Sequence, residues 1–226
     1  MATLSLCITC YDEDYQLLQE LLVEFSKQTE APEEIVISSS GLKAEQLLDI
    51  DSLKIAEKDI PVIHQNNEER HMQSVARNVG ASASTKDLVM FFDVDDIPHP
   101  QKIEVTKKIF SDSSVDALLH DYHVAWGAPW EGRPEQVWSG YPFFKVDEVP
   151  PLVKIKTKNP DNTNIIVDGS LPAHQAHITL KRSLFDSAQF NEDAVFYRKE
   201  DGKFCQDLVD LGINFSYIPL RLVEYK

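Results

Sequence analysis

Leu88-Val89-Met90-Phe91-Phe92-Asp93-Val94-Asp95-Asp96 runs from five consecutive apolar residues straight into three carboxylates. A run that short and wholly apolar, with no polar residue at alternate positions, suits a strand covered on both faces. Upstream, His71 to Ala83 places Met72, Val75, Ala76 and Val79 on one helical face. Ile60 to His64 precedes it as a short strand, which Pro61 restricts to an edge or a start. Further back, Glu34 to Ser38 reads as a strand closed by a polar turn at Ser38-Ser39-Ser40-Gly41, followed by a weak helix from Leu42 to Asp49. The chain opens with a strand over Leu4 to Thr9 and a helix over Tyr15 to Lys27, with Leu17, Leu18, Leu21, Leu22 and Phe25 at helical spacing.

Strand alternating with helix predicts an α/β fold, a doubly wound and mainly parallel sheet with helices on both faces. Such sheets bind ligands beyond the carboxyl ends of their strands. Tyr11, the serine turn and the acidic turn are therefore expected along one edge. From Asp121 to about Asp168 the pattern dissolves into an aromatic stretch with Trp126, Trp130, Trp138, Tyr141, Phe143 and Phe144. Flat aromatic faces there suit either the apolar side of a ligand or a small second core. Regular structure resumes with His177 to Leu180, a helix from Asp201 to Leu211 and a strand from Phe215 to Ile218.

The chain has 226 residues, 42% of them hydrophobic, and a formal charge of −15. That length suits one domain over 1–226. The acidic balance argues against nucleic acid as a partner, and against electrostatic attachment to anionic lipid. No apolar run is long enough to cross a bilayer, and the start lacks a basic leader. A soluble, cytoplasmic protein is expected. Cys7 and Cys10 have C-x-x-C spacing, but in a strand residues three apart face opposite sides, so with Cys205 they read as core cysteines. The sequon Asn214-Phe215-Ser216 falls in an expected strand and is discounted.

Three segments carry chemistry. Crowded carboxylates at Asp93, Asp95 and Asp96 favour a hard divalent cation, Mn2+ or Mg2+, which bridges to phosphate; the alternative is a solvated turn with Asp96 capping the next helix. Arg77, in Ser74-Val75-Ala76-Arg77-Asn78-Val79-Gly80, suits phosphate oxygens, or else pairs with a neighbouring carboxylate. Glu200-Asp201 opens the late helix, where the macrodipole favours acidic residues and where a general base is equally at home. Glu192-Asp193 is a competing acidic pair, and His174 and His177 suit a core or a contact with substrate or metal.

In this order the pieces resemble the GT-A glycosyltransferases, most nearly the inverting family-two type. The matching blocks are SLCITCYDED, ARNVGASASTKDLVMFFDVDD, and HITLKRSLF followed by FNED and RKEDGKFCQDL. The chain is also similar to the small glycosyltransferase domains of large algal DNA viruses, which would place it in a host-cell cytoplasm. The resemblance implies a nucleotide-sugar donor, taken by a half over about 1–105, and a glycan or other hydroxyl acceptor, taken by a half over about 106–226, with Asp93 near the ribose and Asp95 on the metal. It implies Tyr11 stacking on the base beside Thr9 and Glu13, Arg77 near base or phosphates, Asp201 as the base and Glu200 beside it. Where the family carries a base-reading aspartate, this chain has Ser39, which leaves uridine less strictly selected. The rival classes are a nucleotidyltransferase, which needs a basic loop where Tyr11-Asp12-Glu13-Asp14 stands, and a non-catalytic carbohydrate-binding module.

Overall fold

A computed structural model describes residues 2–47, 60–124, 143–155, 157–158, 165–166, 177–197 and 199–225. Trp126, Trp130, Trp138, Tyr141, His174 and the expected helix beyond Leu47 lie outside the described residues.

Four parallel strands begin the sheet: β1 (Leu4–Tyr11), β2 (Glu34–Ser40), β3 (Val62–Asn67) and β4 (Leu88–Asp93). They are joined through helices α1 (Tyr15–Ser26) and α2 (Gln73–Ala83). After β5 (Ile97–Pro98) come α3 (Lys102–Asp112) and β6 (Ala117–Val124), then the short pairs β7 (Val153–Lys154), β8 (Thr157–Lys158) and β9 (Ile165–Ile166). The chain closes with β10 (Thr179–Lys181), α4 (Glu200–Asp210) and β11 (Phe215–Tyr225).

The main sheet runs β3-β2-β1-β4-β10-β6-β11-β5, with β7 also on β11. β10 is antiparallel to both β4 and β6, while β11 is parallel to β6. The mainly parallel sheet expected from the alternation is present, with antiparallel pairings added at β10, β5 and β7, and β3 is an edge strand that starts just after Pro61, in keeping with the edge or start that proline allows. The order turns outward in both directions from β1 and β4, so the switch point lies between Tyr11 and Asp93, where Thr9 pairs with Asp93.

Strand alternation divides the core between two faces. Leu4, Leu6, Ile8 and Cys10 of β1 join Leu18, Leu21, Leu22 and Phe25 of α1 and Ile103, Val105, Ile109 and Phe110 of α3. Cys7, Val89 and Phe91 face the other way, onto Ala81 of α2 and Phe204, Cys205 and Leu208 of α4. Cys7 and Cys10 thus sit in different clusters, and all three cysteines are buried free thiols. No helix among the described residues is long and apolar enough to cross a membrane.

Two expectations need correction. The serines do not form a turn: β2 continues through Ser40, because its ladders to Tyr11 on one side and Asn67 on the other continue to that point. α3 and β6 were not anticipated, because Lys102 and Lys107 interrupt the apolar pattern of one and His120, Asp121 and His123 that of the other.

Candidate functional site

The carboxyl ends of β1 and β4, the start of α4 and the buried face of α2 meet at one point. Arg77 lies on that face and its side chain is 3% exposed. Its Nη2 donates to both oxygens of Asp93, at 2.9 and 3.3 Å, and its Nη1 donates to Glu200 Oε1 at 3.3 Å. Gln73, one turn earlier, adds a bond to Asp93 Oδ1 at 3.0 Å. Burial opposes the guanidinium's charge, yet Asp93, Asp201 and Glu200 outweigh it and raise its pKa above the usual value. The pairing of Arg77 with carboxylates is present, but on a buried face rather than a surface one, and it reaches both the acidic turn and the Glu200-Asp201 pair.

Placing Arg77 there requires α2 to approach the sheet closely. Gly80, on the same helical face, permits it: a Cβ at this position would lie 2.3 Å from Cys7 Sγ and 3.4 Å from Ser38 Cβ. Asn78 fastens the segment that leads into α4, donating from Nδ2 to Phe190 O (2.9 Å) and Glu192 Oε1 (2.8 Å) and accepting from Phe190 N (2.9 Å). Phe190 stacks on Phe204 of α4 with centroids 4.1 Å apart.

The two acidic pairs differ in use. Glu192 is held by Asn78, and Asp193 accepts from Val195 N at 3.0 Å to cap a single turn. Glu200 is bonded to Arg77, while Asp201 is half-buried, accepts from Gly202 N at 2.7 Å, and acts electrostatically on both Arg77 and Tyr225.

In the acidic turn the three aspartates have separate environments. Asp93 is tied to Arg77, and Asp95 is exposed. Asp96 is fully buried, and its Oδ2 accepts from His177 Nε2 at 2.5 Å. Asp96 therefore does not cap the next helix, which starts at Lys102 without a side-chain cap. Asp93, Asp96 and His177 each offer one ligand atom, and these lie within 4.8 Å of one another. Two carboxylate oxygens and an imidazole nitrogen make a donor set that suits Mn2+ and also accepts Mg2+.

Beside the turn a cavity of about 290 Å3 is lined by Tyr11, Arg70, Gln73, Ser74, Phe196 and Glu200, among others. Arg70 lies over the Tyr11 ring, 4.5 Å from its centroid, and bonds Glu13 at 2.7 Å. Burial pushes the Tyr11 hydroxyl up to about 12. Thr9 is buried in the ladder between Ser38 and Asp93. Ser39 is not brought together with Tyr11; it shares the face of Ile35 and Ile37, where its hydroxyl meets His64 Nε2 at 2.7 Å and donates to Asn66 Oδ1 at 3.0 Å. That hydroxyl has one proton, so His64 carries its own on Nε2 and donates.

Several participants escaped the sequence reading. Gln73 had no motif to mark it. Tyr225, at the end of β11, has its pKa raised by burial and then by Asp96, Asp95, Asp93 and Asp201, which places it among the carboxylates. Asp14 is raised by burial and then by Glu13 and Asp95, extending the acidic rim.

Residues 5–173 match the model of the family described as glycosyl transferase family 2. No curated protein matches the chain. Among solved structures it is similar to TarS 1–349 of S. aureus in complex with UDP, at TM-score 0.70 and 17% identity over 99% of this chain and 60% of that one. The same protein in complex with UDP-GlcNAc aligns at TM-score 0.69 and 16% identity, over 99% and 58%. The mannosyltransferase PcManGT of Pyrobaculum calidifontis, in complex with GDP-Man and Mn2+, aligns at TM-score 0.64 and 16% identity, over 97% and 55%. The chain thus spans 55–60% of the length of these structures, and the likeness is one of fold.

Proposed function

The chain belongs to glycosyl transferase family 2 and is a glycosyltransferase, and from that premise we propose how it works. It transfers a sugar from a nucleoside-diphosphate sugar, with uridine the favoured base, to an acceptor hydroxyl with inversion at the anomeric carbon. The observation that carries this reading is the buried Arg77, which joins Asp93 of the acidic turn to Glu200 of the acidic pair at the sheet's switch point. Similar folds in complex with UDP, UDP-GlcNAc and GDP-Man support the donor class, and the Mn2+ in one of them supports metal use. Family membership displaces the nucleotidyltransferase and carbohydrate-module alternatives.

Asp93 and the exposed Asp95 would hold a divalent cation on the donor side, and Asp96 and His177 offer further ligand atoms within 4.8 Å of that of Asp93. Such an ion, when bound, supplies positive charge to the departing diphosphate, which a chain of charge −15 otherwise provides only sparsely. Tyr11 receives the base on its face once Arg70 moves aside, with Thr9 and Glu13 at the rim; Ser39, whose hydroxyl is engaged with His64 and Asn66, takes no part in this reading. Arg77 sets the acidic turn and the start of α4 in register, so the donor and the base act across a fixed gap.

Asp201 accepts the proton of the acceptor hydroxyl as its oxygen attacks the anomeric carbon. The new bond is carbon to acceptor oxygen; the bond that breaks joins that carbon to the diphosphate oxygen, which leaves with the electron pair. Glu200, held by Arg77, keeps the helix start in place. The first half of the chain, to about residue 105, takes the donor, and the remainder takes the acceptor.

A transfer assay with Asp201→Asn and Asp95→Ala tests the scheme, alongside thermal shifts with UDP- and GDP-sugars with and without Mn2+. Both variants should lose at least about a hundredfold in rate, and the stabilising shift should need both nucleotide and metal. Either variant turning over at the wild-type rate would remove that residue from the mechanism.

A further inference from the structure

Behind the acidic turn lies a line of buried charge that the proposed mechanism leaves unused. Lys102, the first residue of α3, is fully buried, as are Asp96 and His177, and His120 is 2% exposed. Lys102 Nζ meets His120 Nε2. His120 Nδ1 lies 2.8 Å from Asp121 O and can only donate to it, so Nε2 is left as the acceptor and the lysine donates. His177 rests edge-on against the Phe92 ring (4.6 Å) and lies 6.0 Å from the His120 ring, with Lys102 Nζ 5.5 Å from the Phe92 centroid.

A cation is poorly placed here on two counts. Burial disfavours the charge, pushing Lys102 down to about 7, and the positive end of the α3 dipole adds to the cost. Among the described residues no ion pair joins a carboxylate to this ammonium, and the opposing influence is the field of Asp96, whose bonded partner His177 lies 6.0 Å from the His120 ring that Lys102 contacts. The stabilisation runs both ways: Lys102 offsets the negative charge of the turn from within the core.

We propose that Lys102 is an internal counter-ion of the acidic turn, opposing from behind the charge that a divalent cation brings from the front. The proposal rests on the turn being the cation site. The lysine adds to the charge that Arg77 already brings to the metal-free turn, and it would weaken the turn's hold on a bound cation. Its role is positional and electrostatic, since it lies in the core and not in the cavity.

The test is Mn2+ titration of wild type, Lys102→Met and Lys102→Gln, following free Mn2+ by electron paramagnetic resonance with and without UDP. Gln keeps a donor for His120 without the charge, which covers the case in which the Met variant does not fold. Both variants should bind Mn2+ more tightly, by roughly fivefold, and their Mn2+-induced rise in Tm should exceed that of wild type. A purely structural lysine would lower Tm with and without metal alike and leave affinity unmoved. Equal or weaker Mn2+ binding by the variants overturns the counter-ion role. Wild-type protein that binds no Mn2+ even with UDP overturns the metal reading itself.

Discussion

Gly80→Ala places a methyl group where α2 presses on the sheet. Its Cβ would sit 2.3 Å from Cys7 Sγ, whereas apolar contacts settle at about 3.5–4.0 Å. The overlap is at least ~1.2 Å. Cys7 is itself buried in the cluster with Val89 and Phe91, and so has little space in which to turn. Ala is favoured over Gly in a helix by about 1 kcal/mol, while one surplus methylene in a packed core costs about 1–3 kcal/mol. Overlap this deep belongs at the top of that range, leaving a net loss of about 2 kcal/mol. Urea unfolding would read it as a lower midpoint at unchanged slope. Because Arg77 lies one turn away on the same face, transfer activity should fall with stability. Cys7→Ala combined with Gly80→Ala removes the obstructing sulfur and should recover most of both losses. If Gly80→Ala matches or exceeds wild-type stability, as helix propensity alone would have it, or if Cys7→Ala gives no recovery, the close approach of α2 does not constrain the site.

Arg77→Met leaves Asp93 and Glu200 largely buried without their shared cation, and should cost about 3–5 kcal/mol by chemical denaturation. Arg77→Lys should recover only part of this, since one ammonium cannot reproduce the fork that serves both carboxylates. His99 supplies a pH dependence. Burial and then the charge of Lys102 lower its pKa to about 4, and its Nδ1 accepts from Gln101 N at 3.1 Å, which requires the neutral ring. The folded state therefore binds fewer protons than the unfolded state between pH 4 and 6.5, so this stability is present above about pH 6.5 and is lost on acidification toward 4. Relative to His99→Phe, wild type should lose about 2 kcal/mol between pH 7 and 5; parallel stability curves for the two would exclude His99 as the cause.

The first half of the fold was legible because its information is local. Apolar spacing marked α1 and α2, the unbroken Leu88–Phe92 run marked a doubly covered strand, and the position of Asp93, Asp95 and Asp96 after it located the edge where ligands bind. α3 and β6 were illegible for the same reason: buried Lys102, Lys107 and His120 read as surface residues until their partners are known. Nor did a strand pattern reveal that the serines continue β2, since the ladders on both flanks decide that.

The chain alone thus determined which groups are available and near which strand end each one falls, because periodicity is written into neighbouring positions. Only the tertiary structure decided which groups meet. Arg77 joins Asp93 16 positions away and Glu200 123 positions away, and His177 reaches Asp96 across 81. It also separated Glu200 from Glu192, which is equally acidic but is held by Asn78. Electrostatic pairing acts through space over a few ångströms, and that proximity is set by the sheet order rather than by distance along the chain.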